Sequence, residues 1–395
     1  MTGRPTYSDA VRSWAAALRA GDTRTWAEFR GQPIDPADMD GPLPGAGQLE
    51  LLRRLALLHR DRPLPRFERL ADRVLASSGP GRGLVDPPLA WPEPDVAAAY
   101  GPTAMEPDAL PGNELVRATN GVLVPLLLSS RVPAPSVRRG SRWRRLWSPG
   151  RRFVVAGSPL SAALVRDALL DAGWSEGGAG ALHLVVGRDL EAMVAEQWVT
   201  QVRAGSERRW RPLWRRLETL DLIPPPVHLA DVAAGRAADH GAGRVHVILG
   251  RDAESLAAGV RAATGVEVTL PALAADVVAT DLLRRLNPFL ILAGGVDARP
   301  GAVRGPWSAA LAALAPGREA GGLGAPPGRL PWAVDRASHL AEALAAGAAR
   351  GDYAVHGDPA VVVPVRRPVP RAVDPDDVAT LAIAVIAQLW RAEED

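Results

Sequence analysis

Three short turns carry residue types that bind anionic ligands in proteins. Each follows an apolar run and precedes an amphipathic segment, and the turns span Gly157 to Ser161, Gly187 to Asp189, and Gly250 to Asp252. Phosphate and sulfate groups accept hydrogen bonds from helix N-terminal backbone N–H groups, serine hydroxyls and arginine guanidinium groups. Ligands of open α/β sheets bind outside the carboxyl ends of the strands. We therefore expect any ligand site to lie at these turns.

A repeated pairing of a short apolar run with an amphipathic segment predicts the elements that position these turns. The runs Phe153–Ala156, Ala181–Val186 and Val245–Leu249 are each followed by apolar residues at helical spacing. A parallel strand needs a crossover connection, usually a helix, so this alternation predicts βαβ units. The predicted fold class is α/β, with a three-layer, mostly parallel sheet.

The residues before this pattern differ from it in the spacing of their apolar side chains and in composition. Apolar residues at three- and four-residue spacing predict an all-helical N-terminal domain over residues 1–131. The stretch 132–152 is rich in proline, serine, glycine and arginine, which predicts a linker. Residues 153–395 would then form the α/β domain, which ends in a helical tail beginning near Pro375.

The composition excludes several kinds of chemistry. All 46 basic residues of the 395-residue chain are arginines, and cysteine is absent. A chain without lysine cannot form a Schiff base or place a lysine in a phosphate loop, and a chain without cysteine has no disulfide, thiolate nucleophile or thiolate metal ligand. The 44 acidic residues nearly balance the basic ones, so the global charge does not indicate nucleic-acid binding.

The longest apolar stretches are too short to cross a bilayer. They are Gly121–Leu128 and Val378–Trp390, whereas a membrane-spanning helix needs about 18 or more consecutive apolar residues. The residues after Met1 also lack the apolar core of a signal peptide. We therefore expect a cytoplasmic protein with no membrane partner.

Several segments in the second half of the chain, taken in order, resemble a known family. The chain is similar to the actinobacterial sulfotransferase-like proteins over roughly residues 152–395, and the resemblance implies a P-loop-type α/β fold and sulfuryl transfer from adenosine 3′-phosphate 5′-phosphosulfate. The segments that carry the resemblance are Val186–Leu190 with Trp198, His228–Val232, Arg244–Val247, Leu282–Asn287 and Gly351–Asp358.

The chain departs from this family in the loop that holds the phosphosulfate. The family has a Pro-Lys-x-Gly-Thr-like loop, whereas Val155–Leu164 has leucine at the lysine position and alanines at the glycine and hydroxyl positions. The resemblance implies that Gly157, Ser158 and Ser161 bind the 5′ end of the donor and that Arg188 binds its 3′-phosphate. Glu196 falls near the family's serine, where a carboxylate would repel a phosphate. No catalytic base is identified.

Two classes of function stay open at this level. The first is a degenerate sulfotransferase-like protein of unknown role that retains nucleotide binding and has a small-molecule acceptor. The second is a non-catalytic protein that binds a protein partner or nucleic acid through arginine- and tryptophan-rich segments. Such segments can grip phosphates and stack on bases, or present a solvated arginine face with packed tryptophans. The two segments are Arg138–Arg152, with Trp143 and Trp147, and Arg208–Arg216, with Trp210 and Trp214.

The remaining polar residues favour structural roles. His183 and His246 lie in apolar runs that predict strands, and the spacing of His228 and His240 fits no metal site. Asp189 and Asp252 each precede a predicted helix, where an aspartate caps free N–H groups. The sequence therefore predicts no metal site.

Overall fold

The chain divides into two compact units in a computed structural model. One unit contains Met1–Ala134, Asp281–Gly317 and Val373–Asp395, and the other contains Pro135–Thr280 and Arg318–Ala372. The structure describes residues 6–32, 42–77, 86–90, 103–129, 151–273, 277–294, 327–365 and 373–394. Most of the predicted linker, residues 132–150, therefore lies outside the described residues.

The described residues form thirteen α-helices. None of these helices is both long enough and apolar enough to span a membrane. Their bounds are α1 Tyr7–Arg19, α2 Trp26–Arg30, α3 Ala46–Asp61, α4 Phe67–Ala76, α5 Gly112–Ser129, α6 Pro159–Asp171, α7 Leu190–Arg203, α8 Trp210–Thr219, α9 Leu229–His240, α10 Ala253–Thr264, α11 Val277–Gly294, α12 Leu330–Ala349 and α13 Pro375–Glu394.

The first unit is helical where it is described, apart from an isolated parallel bridge between Leu89 and Met105. It differs from the predicted N-terminal domain because the C-terminal helix α13 belongs to it. The apolar side chains of α13, including Ile386, are buried, and Trp390 Nε1 donates a hydrogen bond to the Pro65 carbonyl at 2.7 Å. These contacts join residues far apart in the chain, so local periodicity does not reveal them.

The second unit contains a five-stranded sheet in which every pair is parallel. The strand order is β2-β1-β3-β4-β5. This confirms the predicted α/β class and parallel sheet, and three strands begin or end within a residue of the predicted apolar runs. The bounds are β1 Arg152–Gly157, β2 Ser175–Glu176, β3 Leu182–Gly187, β4 Val245–Leu249 and β5 Ala354–His356.

Helices cover both faces of this sheet. On one face, Phe153, Leu184 and Ile248 pack in a buried core with Val165 of α6 and Val260 of α10. Alternate strand residues point to the opposite face. There, α9 lies so close to β3 that a side chain at Gly187 would collide with Leu229. The second unit therefore has three layers, with helices on one face of the sheet, the sheet itself, and helices on the other face.

Two pairs of histidines lie within the sheet layers. The rings of His183 and His240 stack with centroids 4.0 Å apart, and His246 Nδ1 lies 3.0 Å from His356 Nε2. Burial and then the neighbouring His356 lower the pKa of His246, and burial lowers the pKa of His356. Burial is also the largest cause of the lowered pKa of His183. The fold therefore favours the neutral imidazoles of His183, His246 and His356.

We expect acid to weaken the fold through these groups. As pH falls below about 6.5, the ordinary histidine pKa, the unfolded chain takes up protons that the folded sheet resists, so the stability present above that pH is lost as pH falls toward the lower folded values. The free energy of unfolding, measured in urea, should therefore fall between about pH 7.5 and about pH 5.

The variant His356→Gln should lose less stability over this range than the natural protein, because one half-buried imidazole no longer titrates. A matched control is His339→Gln, since the His339 side chain is 58% exposed on α12. The control should keep the original pH dependence. Equal pH dependence in His356→Gln and the natural chain would contradict the expectation.

Candidate functional site

The three predicted turns meet at one edge of the sheet. Strands β1, β3 and β4 are adjacent and parallel, so the residues that follow them lie side by side. The backbone N–H of Ser158 donates to the Val186 carbonyl at 2.8 Å, and that of Gly250 donates to the Gly187 carbonyl at 3.2 Å. The geometry brings Gly157, Ser158, Ser161 and Arg188 together, as the sequence leads one to expect.

The carboxylate of Glu196 lies at the centre of this group. Glu196 belongs to α7 and is 3% exposed. Its Oε2 accepts hydrogen bonds from Ser158 Oγ at 2.5 Å, from the Leu160 backbone N–H at 3.0 Å and from the Ser161 backbone N–H at 2.9 Å. Its Oε1 accepts a hydrogen bond from Ser161 Oγ at 2.7 Å. A side chain of the protein thus fills the anion position at the start of α6.

The start of α6 is built to attract such a group. Pro159 is the first helical residue, where its missing N–H costs nothing because that group has no helical partner. The next two residues, Leu160 and Ser161, supply free N–H groups at the positive end of the helix dipole. Glu196 satisfies both, so the helix N-terminus needs no external anion.

Arg188 completes the charge balance. Its Nη1 lies 3.2 Å from Glu196 Oε1 and donates to the Leu273 carbonyl at 3.2 Å, and its Nη2 donates to the Arg251 carbonyl at 3.0 Å. The side chain is 12% exposed. Arg188 therefore holds the ends of β3 and β4 and the 273 region around one buried ion pair.

Gly157 permits the close approach that forms this turn. Its φ is +103°, a left-handed backbone conformation that favours glycine, and an added Cβ would lie 2.2 Å from the Val186 carbonyl oxygen. The glycine lets the chain leave β1 against β3 and enter α6 with Ser158 facing Glu196.

The neighbouring aspartates have the structural role that the sequence predicts. Asp189 accepts a hydrogen bond from the Ala192 N–H at 3.0 Å and caps α7. Asp252 accepts one from the Ser255 N–H at 2.8 Å and caps α10, and the bonds from Ser255 lower the pKa of Asp252. Both capping predictions are confirmed, so these carboxylates are engaged in helix starts.

His228 lies at the start of α9, next to a carboxylate. His228 Nδ1 lies 3.0 Å from Asp231 Oδ2 at the start of α9, one helical turn apart. Across the described residues, no three histidine or carboxylate side chains are grouped so that they could hold a metal ion. His228 and Asp231 form a local pair of neighbours on one helix.

Of the two arginine- and tryptophan-rich segments, the structure describes only the second in full. Most of Arg138–Arg152, including Trp143 and Trp147, lies outside the described residues. In Arg208–Arg216 the arginines are exposed, whereas Trp210 and Trp214 are buried. The interpretation of a solvated arginine face with packed tryptophans is confirmed for this second segment, and its tryptophans are not placed to stack on bases.

The hydrogen-bond partners of Glu196 were not predicted from the sequence. A usable signal exists in the helix pattern, because Glu196 lies three residues from Met193 and from Val199, which are both buried. A carboxylate on the apolar side of an amphipathic helix must be paired or hydrogen bonded. The strand-end serines and arginine were the available partners.

Comparison of the chain with known proteins identified no relative. No protein-family model, curated protein sequence or solved structure matches the chain. The resemblance to sulfotransferases therefore stays a prediction that rests on the residues quoted for it.

The variant Gly157→Ala tests the close approach at the turn. We expect it to lower the free energy of unfolding by about 3 kcal/mol or more, because it adds steric overlap to the cost of a left-handed alanine. Gly173→Ala is the matched control, since Gly173 has a φ of +88° with nothing within 4 Å of an added Cβ. The control should lose about 1 kcal/mol. Equal losses in urea unfolding would show that the contact with Val186 contributes nothing.

The variant Glu196→Ala tests the buried ion pair. It leaves Arg188 charged without its carboxylate partner and removes the acceptor of four hydrogen bonds at the turn, so we expect a loss of about 3–5 kcal/mol in the free energy of unfolding. The double variant Glu196→Ala/Arg188→Ala should lose less than the two single variants together, because it removes the charge left alone in each. Strictly additive losses in a double-mutant cycle would contradict the pairing.

Proposed function

We propose that this chain is a degenerate sulfotransferase-like protein that has lost the phosphosulfate site and acts without catalysis, as a scaffold for an interaction. The single observation that carries the proposal is the position of Glu196. Its carboxylate accepts from Ser158 and Ser161, which the resemblance would assign to the 5′ end of the phosphosulfate, and from the adjacent Leu160 backbone N–H.

The electrostatics of this arrangement oppose a second anion. Two unit charges about 4 Å apart repel by roughly 4 kcal/mol at an effective dielectric constant of about 20. That energy corresponds to about a thousandfold loss of affinity. A donor phosphate could take this position only if Glu196 left its hydrogen bonds, and that change would break the buried pair with Arg188.

Arg188, one of the cations at the edge, is also engaged. Arg188 is the residue that the resemblance assigns to the 3′-phosphate, and its two terminal nitrogens already contact Glu196 and two backbone carbonyls. Leu160 stands where the family has lysine and contributes a backbone N–H alone. With no lysine in the chain, the charge that develops on a transferred sulfuryl group would lack the family's main stabilising cation.

Calorimetric titration with adenosine 3′,5′-bisphosphate, the product shared by these sulfotransferases, tests the proposal on the natural protein. We expect no saturable heat and no change in melting temperature. Saturable binding, together with a higher melting temperature, would overturn the proposal and restore the transferase interpretation.

The variant Glu196→Ser tests whether the start of α6 can bind an external anion once the Glu196 carboxylate is removed. Glu196→Ser places a hydroxyl where the family has one and frees the donors at the start of α6. We expect sulfate to raise the melting temperature of this variant and to leave that of the natural protein unchanged. The control Glu254→Ser alters an exposed carboxylate on α10 and should not respond to sulfate. A Glu196→Ser protein that ignores sulfate would contradict the argument from the helix N-terminus.

A further inference from the structure

Helix α8 carries several exposed arginines that are not part of the candidate site at the carboxyl edge of the sheet. At about 100° per residue, the exposed positions of this helix occupy one half of its circumference. Five exposed arginines lie on this half or just before the helix, and we call them the arginine surface: Arg208, Arg209, Arg211, Arg215 and Arg216.

The positive charge of the arginine surface is not neutralised by its own neighbours. Within the described residues, none of the five side chains forms an ion pair or a hydrogen bond. The nearby carboxylates of Glu218 and Asp221 are engaged by Arg329 and Arg336. The exposed Glu207 brings the formal charge of residues 207–216 to +4. A surface of this charge is complementary to an anionic partner.

The other side of α8 fixes the arginine surface in place. Trp210 packs on Trp198 of α7 with ring centroids 5.6 Å apart, and Trp214 packs on Trp332 of α12 at 6.1 Å. Trp198 Nε1 also donates to the Arg208 carbonyl at 2.8 Å. The aromatic rings are committed to the interior, so a partner meets charge rather than a stacking platform.

Two exposed leucines lie at the end of the same helix. Leu220 is 50% exposed and Leu222 is 53% exposed. Asp221 between them has a φ of +48°, which is a strained left-handed conformation for a residue with a side chain. Trp332 Nε1 donates to Asp221 Oδ1 at 3.0 Å and so holds this turn. Two exposed apolar side chains therefore follow the arginine surface directly in the chain.

We propose that the arginine surface docks on the headgroups of an anionic phospholipid bilayer, with Leu220 and Leu222 entering the boundary between headgroups and acyl chains. Clusters of about four to eight basic residues bind anionic lipid surfaces, and neighbouring apolar side chains add buried area. Duplex nucleic acid would attract the same arginines but would give the leucines no apolar medium. The proposal revises the expectation of no membrane partner, which rested on the lack of a spanning segment. It does not depend on the state of the Glu196 site.

Sedimentation of the full-length protein with vesicles tests this docking. We expect binding to vesicles of an equal mixture of phosphatidylcholine and phosphatidylglycerol, and no binding to phosphatidylcholine alone. Binding should weaken as salt is added, because salt screens exposed charges. Protein that stays in the supernatant with both kinds of vesicle, or that binds both equally, would overturn the proposal.

Matched variants locate the contact. Arg211→Gln/Arg215→Gln/Arg216→Gln should weaken binding roughly 100-fold, from the contribution of three arginines at an anionic surface. The control Arg166→Gln/Arg261→Gln/Arg350→Gln makes the same change in net charge at exposed arginines elsewhere in the unit and should bind as the natural protein does. Equal weakening in both triple variants would show that binding depends only on the net charge of the protein. That result would overturn the assignment of the contact to the arginine surface. Unchanged circular dichroism shows that each variant is folded.

The leucines distinguish a bilayer from another polyanion. Leu220→Ser/Leu222→Ser should weaken vesicle binding, and the weakening should persist at high salt, where the charges are screened. Titration with duplex DNA is the competing arm. Tighter binding to DNA than to anionic vesicles, with no effect of the leucine variant on either, would overturn the lipid proposal in favour of nucleic acid.

Discussion

The buried pair of Glu196 and Arg188 is the interaction on which the carboxyl edge of the sheet depends. Glu196 satisfies the first donors of α6, and Arg188 compensates its charge while holding the carbonyls of Arg251 and Leu273. A buried charge is tolerated only when it is paired and hydrogen bonded. An internal carboxylate meets this need without the loss of translational freedom that a bound ligand would incur. The edge is thus complete without a nucleotide.

Helix α7 links this edge to the arginine surface. Glu196 on α7 faces the start of α6, and Trp198, two residues later, packs on Trp210 and donates to the Arg208 carbonyl. Residues two apart point to different sides of a helix, so one element can serve two neighbours. The same helix that places Glu196 at the start of α6 therefore also fixes the exposed arginines.

Much of the α/β fold could be predicted because its signals are local. Apolar runs followed by helical spacing gave β1, β3 and β4, and Asp189 and Asp252 cap helices at the positions that their spacing predicts. The two-residue strand β2 was not predicted, because Ser175 and Glu176 carry no strand pattern and pair with β1 only through the fold. The return of α13 to the helical unit was also missed, because its contact between Trp390 and Pro65 spans most of the chain.

The candidate site shows the same division. The sequence by itself determined which chemistry is excluded, since it has no lysine or cysteine, and it placed Gly157, Ser158, Ser161 and Arg188 at strand ends. Only the tertiary structure decided what these residues bind. Ser161 and Glu196 are 35 residues apart, and a buried carboxylate takes whichever donors packing brings within hydrogen-bond distance. Residue types fix the charge and the donors, whereas the fold decides which of them meet.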